Sequence, residues 1–165
     1  MQPFFLKARG YKLKAAFGFT LVELLIVVAL VGILSAGVAV SFWNVNKTKA
    51  LDTEAQSLVG LLNRARAQTL SAKDGFAYGV HFETSKAVLF RAPAYISTST
   101  FNINKPLPRE VNITAIALTG GGSETLFKKL TGQTDQSGTI TLALVSNASA
   151  STTVVIGATG IAYSK

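Results

Sequence analysis

Hydrophobic positions follow three regimes along the chain. From Phe19 to Val40 (FTLVELLIVVALVGILSAGVAV) almost every residue is apolar, and Glu23 alone is ionisable. From Leu51 to Thr69 the apolar positions thin to a stripe, Leu51, Ala55, Leu58, Leu62, Ala65 and Thr69, at intervals of four, three, four, three and four. From Phe76 onward short apolar runs alternate with Gly, Pro, Asn and Ser clusters. The first regime, at 1.5 Å per residue, is long enough for the ~30 Å hydrocarbon core of a bilayer. The second has the period of an amphipathic helix, with Lys49, Asp52, Glu54, Arg64 and Arg66 assigned to its other faces. No proline lies between Phe19 and Lys73, and Asp74-Gly75 supplies a stop. The pattern therefore predicts one nearly continuous helix over Phe19–Lys73, roughly 80 Å long.

The third regime predicts strands. Phe76–Phe82 and Lys86–Ala92 form a hairpin through Glu83-Thr84-Ser85. A weak strand follows at Ile96–Ile103, within a connection punctuated by Pro93, Pro106 and Pro108. Further strands are expected at Val111–Leu118, Glu124–Leu130, Thr139–Val145, Thr152–Ile156 and Ile161–Tyr163. Gly120-Gly121-Gly122, Gln136-Ser137-Gly138 and Asn147–Ser151 separate them. A helix followed by many short antiparallel strands is α+β: a roll with its sheet packed on the helix. The expected organisation is a basic leader (1–18), a membrane helix (19–43), its amphipathic continuation (44–74) and a β-rich globular domain (75–165).

Charge changes the picture at one end. The chain of 165 residues has a formal net charge of +8. Lys7, Arg9, Lys12 and Lys14 precede the apolar run with no acid among them. By the positive-inside rule that end is cytoplasmic, and Trp43 sits where an interfacial aromatic belongs on the other side. Without the leader, twelve Lys/Arg face eight Asp/Glu. That excess is far from the signature of a dedicated nucleic-acid binder. No cysteine is present, which excludes disulfides, thiolate metal sites and a Cys nucleophile. Glu23 is the anomaly. A carboxylate inside an apolar helix costs about 2.5–3.5 kcal/mol on insertion scales, less near an interface. The nearest upstream cation, Lys14, lies nine residues away. A counter-charge must come from outside this helix or be created by processing.

Gly18-Phe19-Thr20-Leu21-Val22-Glu23, followed by Leu24-Leu25-Ile26-Val27-Val28, resembles the type III signal of prepilins and prepseudopilins. An ordinary secretory signal has an apolar core of only about 7–15 residues and a small-residue cut at its far end. The resemblance implies cleavage between Gly18 and Phe19 by a prepilin peptidase, then N-methylation of Phe19. Glu23 becomes the fifth residue, and its carboxylate pairs with the Phe19 amine of a neighbouring filament subunit. A buried charge is tolerable when it is paired. Gly32 and Gly37, unfavourable in a soluble helix by about 1 kcal/mol each, read as points of close helix–helix approach, with Ser35 and Ala36 beside them. Unlike many major pilins, the chain has no proline in or just after the run.

The order of elements also resembles the H/T-type minor pseudopilins and minor pilins. The resemblance rests on Leu126–Gly132, then Gly138-Thr139-Ile140-Thr141-Leu142, then Gly160-Ile161-Ala162-Tyr163. The basic residue usual after the last glycine is Ile161 here. The family implies as partners the prepilin peptidase, other pilin or pseudopilin subunits, and an inner-membrane assembly platform with its ATPase. It places the chain in the bacterial inner membrane, N-terminus cytoplasmic and globular domain outside, before entry into a periplasmic or surface filament. The machine could be a type II secretion pseudopilus or a type IV pilus.

Little else carries chemistry. His81 is the single histidine, in an alternating strand beside Tyr78 and Phe82, and reads as a packed residue. Gly120-Gly121-Gly122-Ser123 lacks the lysine and helix of a phosphate loop. Asp74, Glu83, Glu110, Glu124 and Asp135 have no calcium-loop spacing. No catalytic residue, metal or cofactor is expected, and the chain does not read as an enzyme. Two alternatives to a structural subunit stay open. One is a DNA-binding minor pilin of an uptake filament, contacting nucleic acid through Lys105, Arg109, Lys128, Lys129 and Lys165, with Tyr95, Phe101 and Tyr163 for stacking. Lys128 and Lys129, adjacent on an expected strand, would point to opposite faces. The other is a signal-anchored surface protein that never polymerises.

Overall fold

A computed structural model describes the backbone of residues 18–165 and the side chains of residues 18–35 and 48–165. The leader cations therefore lie outside the described residues, and Trp43 outside the described side chains. The chain is α+β. It divides into two compact units, residues 1–41 and 42–165.

Helix α1 runs Leu21–Leu70. It starts at Thr20, whose hydroxyl accepts the Glu23 N–H at 3.2 Å and whose carbonyl accepts the Leu24 N–H at 3.1 Å. That is N-cap geometry. The helix stops three residues before the expected Lys73, and the reversal falls earlier than Asp74-Gly75. Ala72 already has φ 48° and Asp74 has φ 53°, so two non-glycine residues occupy the left-handed region. Such residues cost on the order of 1–3 kcal/mol each and persist where surrounding contacts over-determine them. Three contacts hold Asp74 and its neighbour Gly75. Asp74 Oδ2 lies 2.5 Å from Arg91 Nη2 and accepts from the Tyr78 hydroxyl at 3.3 Å, and Lys129 Nζ donates to the Gly75 carbonyl at 2.5 Å.

The described residues form eight strands: β1 (Tyr78–Glu83), β2 (Lys86–Arg91), β3 (Ile103–Pro106), β4 (Val111–Leu118), β5 (Glu124–Leu126), β6 (Gly138–Leu144), β7 (Asn147–Ile156) and β8 (Ala162–Ser164). They make two four-stranded sheets, where the sequence suggested one: β3-β2-β1-β5 and β4-β6-β7-β8. Every recorded pairing is antiparallel. The β1–β2 hairpin and β4 match their expected positions. Ile96–Asn102 is not a strand. The Ser99 N–H donates to the Ile96 carbonyl and Asn102 Nδ2 donates to the same carbonyl at 2.8 Å, so local turns displace the ladder. The strand begins at Ile103 and includes Pro106, tolerated because β3 is an edge. β5 ends at Leu126. Lys128 and Lys129 lie instead in a turn closed by the Gly132 N–H on the Lys128 carbonyl at 2.9 Å, with Leu130 at φ 69°. β7 begins at Asn147, absorbing a stretch expected to separate strands, with a register shift against β6 at Ala143/Leu144.

One core joins α1 to both sheets. The predicted stripe is buried along its whole length, Leu51, Ala55, Leu58, Leu62, Ala65 and Thr69 each at 2 % exposure or less. It packs with Val80, Phe82 and Leu89 of the first sheet and Ile113, Ile140, Leu142, Val154 and Ile156 of the second. Thr69 fixes the helix to β1: its Oγ1 accepts the Tyr78 N–H at 2.8 Å and donates to the Ala65 carbonyl at 2.9 Å. Glu54 departs from its expected solvent-facing place. It is buried and ion-paired with Lys105 of β3, and its carboxylate leans on that cation. The outer face of that sheet is covered too. Tyr95 stacks on His81 at 4.0 Å and meets Phe90 edge-on at 5.9 Å, so β2 buries both faces instead of alternating. Gly79 is required beneath Phe90, since a Cβ there would stand 2.7 Å from the Phe90 ring and 2.6 Å from the Thr125 carbonyl oxygen.

Candidate functional site

Thr20-Leu21-Val22-Glu23 is a capping-box sequence, a local role for Glu23 that the sequence reading missed. The structure forms half of the box. Thr20 accepts the Glu23 N–H, but the Glu23 carboxylate has no hydrogen-bond or ion-pair partner among the described residues. The cap positions the backbone at the helix start and leaves the carboxylate unengaged. Electrostatically that end is suited to a carboxylate, because the helix dipole favours negative charge in the first turn.

Around Glu23 the helix is apolar on every side and exposed on every side. From Leu21 to Leu34 its large apolar side chains are 47–74 % exposed. Such a helix is stable only against lipid or other helices. Among the described residues Gly32 has no packing reason, since a Cβ there would meet nothing within 4 Å. Ser35 turns its hydroxyl back to the Val31 carbonyl at 2.7 Å, hiding its polarity from an apolar neighbour. Gly18 is exposed with open space where a Cβ would stand, and Phe19 is exposed beside it. Gly37 lies outside the described side chains. Among the described residues no helix is long and apolar enough to cross a membrane. The side chains of the expected span are described only as far as Ser35.

The structure does not leave the five cations considered for nucleic acid equally free. Lys105 is paired with the buried Glu54. Lys128 Nζ lies 2.7 Å from Asp135 Oδ1, and Lys129 Nζ is on the Gly75 carbonyl. Arg109 is exposed after Pro108, and Lys165 is exposed next to β8, its backbone paired with Thr153. The aromatics proposed for stacking divide likewise: Tyr95 is engaged by His81, Phe101 lies 4.0 Å from the Arg91 guanidinium, and Tyr163 is exposed. His81 is half-buried as well as stacked, with Nδ1 3.8 Å from Glu124 Oε2. Among the described residues no group of three or more His, Cys, Asp and Glu is placed to hold a metal ion.

The C-terminal glycine pattern has a packing explanation. Gly160 (φ 78°) lies so close to Gly132 that a Cβ would stand 1.9 Å from the Gly132 carbonyl oxygen. Arg66 of α1 closes this junction by donating Nε–H to the same oxygen at 3.1 Å. The pattern is thus a three-way contact between the helix, the turn after β5 and the turn before β8. Its cation comes from the helix, in a chain whose Gly160 is followed by Ile161.

Residues 13–39 match the family model of the prokaryotic N-terminal methylation motif. No curated protein and no solved structure matches the chain. The match covers the exposed apolar stretch, Glu23 and the Gly18–Phe19 bond, and none of the globular unit. The chain carries a prepilin-type signal. That signal points to a membrane-anchored pilin or pseudopilin, processed by prepilin peptidase and assembled with other pilins.

Proposed function

We propose that this chain is a minor pilin or pseudopilin of the H/T type, a structural subunit of a filament and not an enzyme. The observation that carries the reading is the unengaged Glu23 carboxylate inside a matched methylation motif, on a helix with apolar exposure all round. After cleavage the Phe19 amine of an adjoining subunit supplies the missing positive charge. A carboxylate left unpaired in an apolar filament core is penalised, so the pair sets the register of neighbouring helices. Gly32 lets those helices approach closely. The protein waits in the inner membrane, held there by the same apolar helix, until the assembly platform and its ATPase draw it into the filament.

Two measurements test this. Mass spectrometry of the amino terminus of the native protein should find Phe19 methylated; a chain retaining Met1 to Gly18 removes the cation and with it the mechanism. Glu23→Val should leave membrane insertion intact and abolish incorporation into filaments. Normal filaments with Glu23→Val would sink the pairing while leaving the processing reading in place.

A further inference from the structure

Residues 92–102 connect β2 to β3 and form a strap over the outer face of the first sheet. The strap meets the sheet through Tyr95. Its ring stacks on His81 at 4.0 Å, with 12° between the planes, and meets Phe90 edge-on at 5.9 Å. Its hydroxyl donates to Glu83 Oε1 at 3.3 Å. Under this cover Val88 and Phe90 are buried, although they alternate with the core-facing Ala87 and Leu89. His81 is thus the ring on which the cover rests, and one of its atoms is out of place. Nδ1 is buried and has no hydrogen-bond partner. Glu124, directly across from His81 on β5, holds Oε2 3.8 Å away, beyond hydrogen-bond distance.

Every element packed around His81 contributes to its surroundings. β5 supplies Glu124, and β1 itself supplies Glu83 two residues along. β2 supplies the apolar Val88 opposite His81 and Lys86 opposite Glu83, with Lys86 Nζ 3.3 Å from Glu83 Oε1. The strap supplies Tyr95. Lys86 is committed to Glu83, so Glu124 is the carboxylate left open for a cation. We propose that His81 is a pH-operated latch for the strap. Protonation places an N–H on both ring nitrogens. The Glu124 side chain, 38 % exposed, has room to close the remaining distance of about 1 Å and accept from Nδ1 in a charge-assisted bond. The charged ring already lies on the face of Tyr95, so the stack becomes a cation–π contact. Both changes hold the ring, and Tyr95 upon it, more firmly. The sign follows from which state gains partners. The strap is fastened at acid pH and loosens as pH rises through the interval of about 5 to 8, where histidines change charge. The latch belongs to the globular unit and does not involve Glu23.

Hydrogen exchange of the full-length protein in detergent micelles, followed by mass spectrometry, tests this at about pH 5.5 and about pH 8. Expressed as protection factors, the data exclude the pH dependence of the exchange chemistry itself. Protection of peptides within 92–102 should rise about 3- to 10-fold on acidification, while peptides of β6 and β7 stay level. His81→Phe keeps a ring under Tyr95 that does not titrate, and should abolish the step. Glu124→Gln keeps the shape without the charge, and should shrink the step at least about 2-fold. Unchanged protection of β6 and β7 verifies that each variant is folded. Equal strap protection at both pH values, or a loss of protection in acid, overturns the latch. So does a full step in Glu124→Gln. A step that survives in His81→Phe also overturns it, and would move the titration to Glu83 or another group.

Discussion

Residues 21–34 and residues 51–69 belong to one helix, yet they solve opposite problems. The first stretch is hydrophobic around its full circumference and exposed throughout; the second buries a stripe, with Glu54 beside it, and turns the rest of its charge outward. An amphipathic stripe is satisfied within its own chain by the two sheets it meets. A helix apolar on all sides has no such partner among the described residues and must find lipid or neighbouring helices. The difference separates what the chain does for its own stability from what it offers to an assembly. Gly32 and the Glu23 carboxylate, unpartnered among the described residues, sit in the outward-looking stretch, and Thr69 and Arg66, each tied to a strand or turn, sit in the inward-looking one.

The widest gap between the stretches should appear on truncating leucines. Leu58→Ala, at a fully buried position, should lower stability by about 2–5 kcal/mol, whereas Leu30→Ala should shift it by less than about 0.5 kcal/mol. Denaturant unfolding of the detergent-solubilised chain reads both, and equal effects would break the comparison. Gly160→Ala should cost about 2–4 kcal/mol, since it forces a left-handed alanine against the Gly132 carbonyl. A neutral result would show that the junction of the helix with the two turns yields easily. Thr69→Val keeps the shape but strands the Tyr78 N–H, at about 1–3 kcal/mol. Hydrogen exchange at Tyr78 should quicken in step; an unchanged rate would mean another acceptor takes over. Smallest of all, Lys128→Ala should change stability by less than about 0.5 kcal/mol, because its pairing with Asp135 is solvent-exposed. Binding of a DNA duplex by the full chain, titrated at low salt, should likewise be absent. A steep fall of measurable affinity with salt would instead revive Arg109 and Lys165 as phosphate contacts.

Both stretches of the helix were legible because each depends on local periodicity. Six stripe positions chosen by spacing alone are the helix positions most deeply buried, and the hairpin and β4 fell where alternation put them. The failures share a cause. Ile96–Asn102 has strand-like composition, but Asn102 offers the Ile96 carbonyl a nearer donor than any strand could. Asn147–Ser151 has loop composition, yet an existing β6 edge recruits it. Glu54 looked solvated because its charge masks its position on the helix; its cation is 51 residues distant and invisible to any window. At the candidate site, Gly18, Phe19 and Glu23 were readable from a contiguous motif. The capping role of Thr20 was equally local and could have been found from T-x-x-E.

By itself the sequence determined the secondary elements whose signals are short-range: an all-round apolar helix, its amphipathic continuation, most strands, and a signal peptide motif with one unmatched acid. Tertiary structure alone decided that the strands divide into two sheets around a shared core. It also decided that Lys105 answers Glu54, that Arg66 locks Gly132 to Gly160, and that Tyr95 lies over His81. Periodicity reports which face of an element wants burial, but a pairing between elements depends on where the intervening chain returns, and that is set only when all of them pack together.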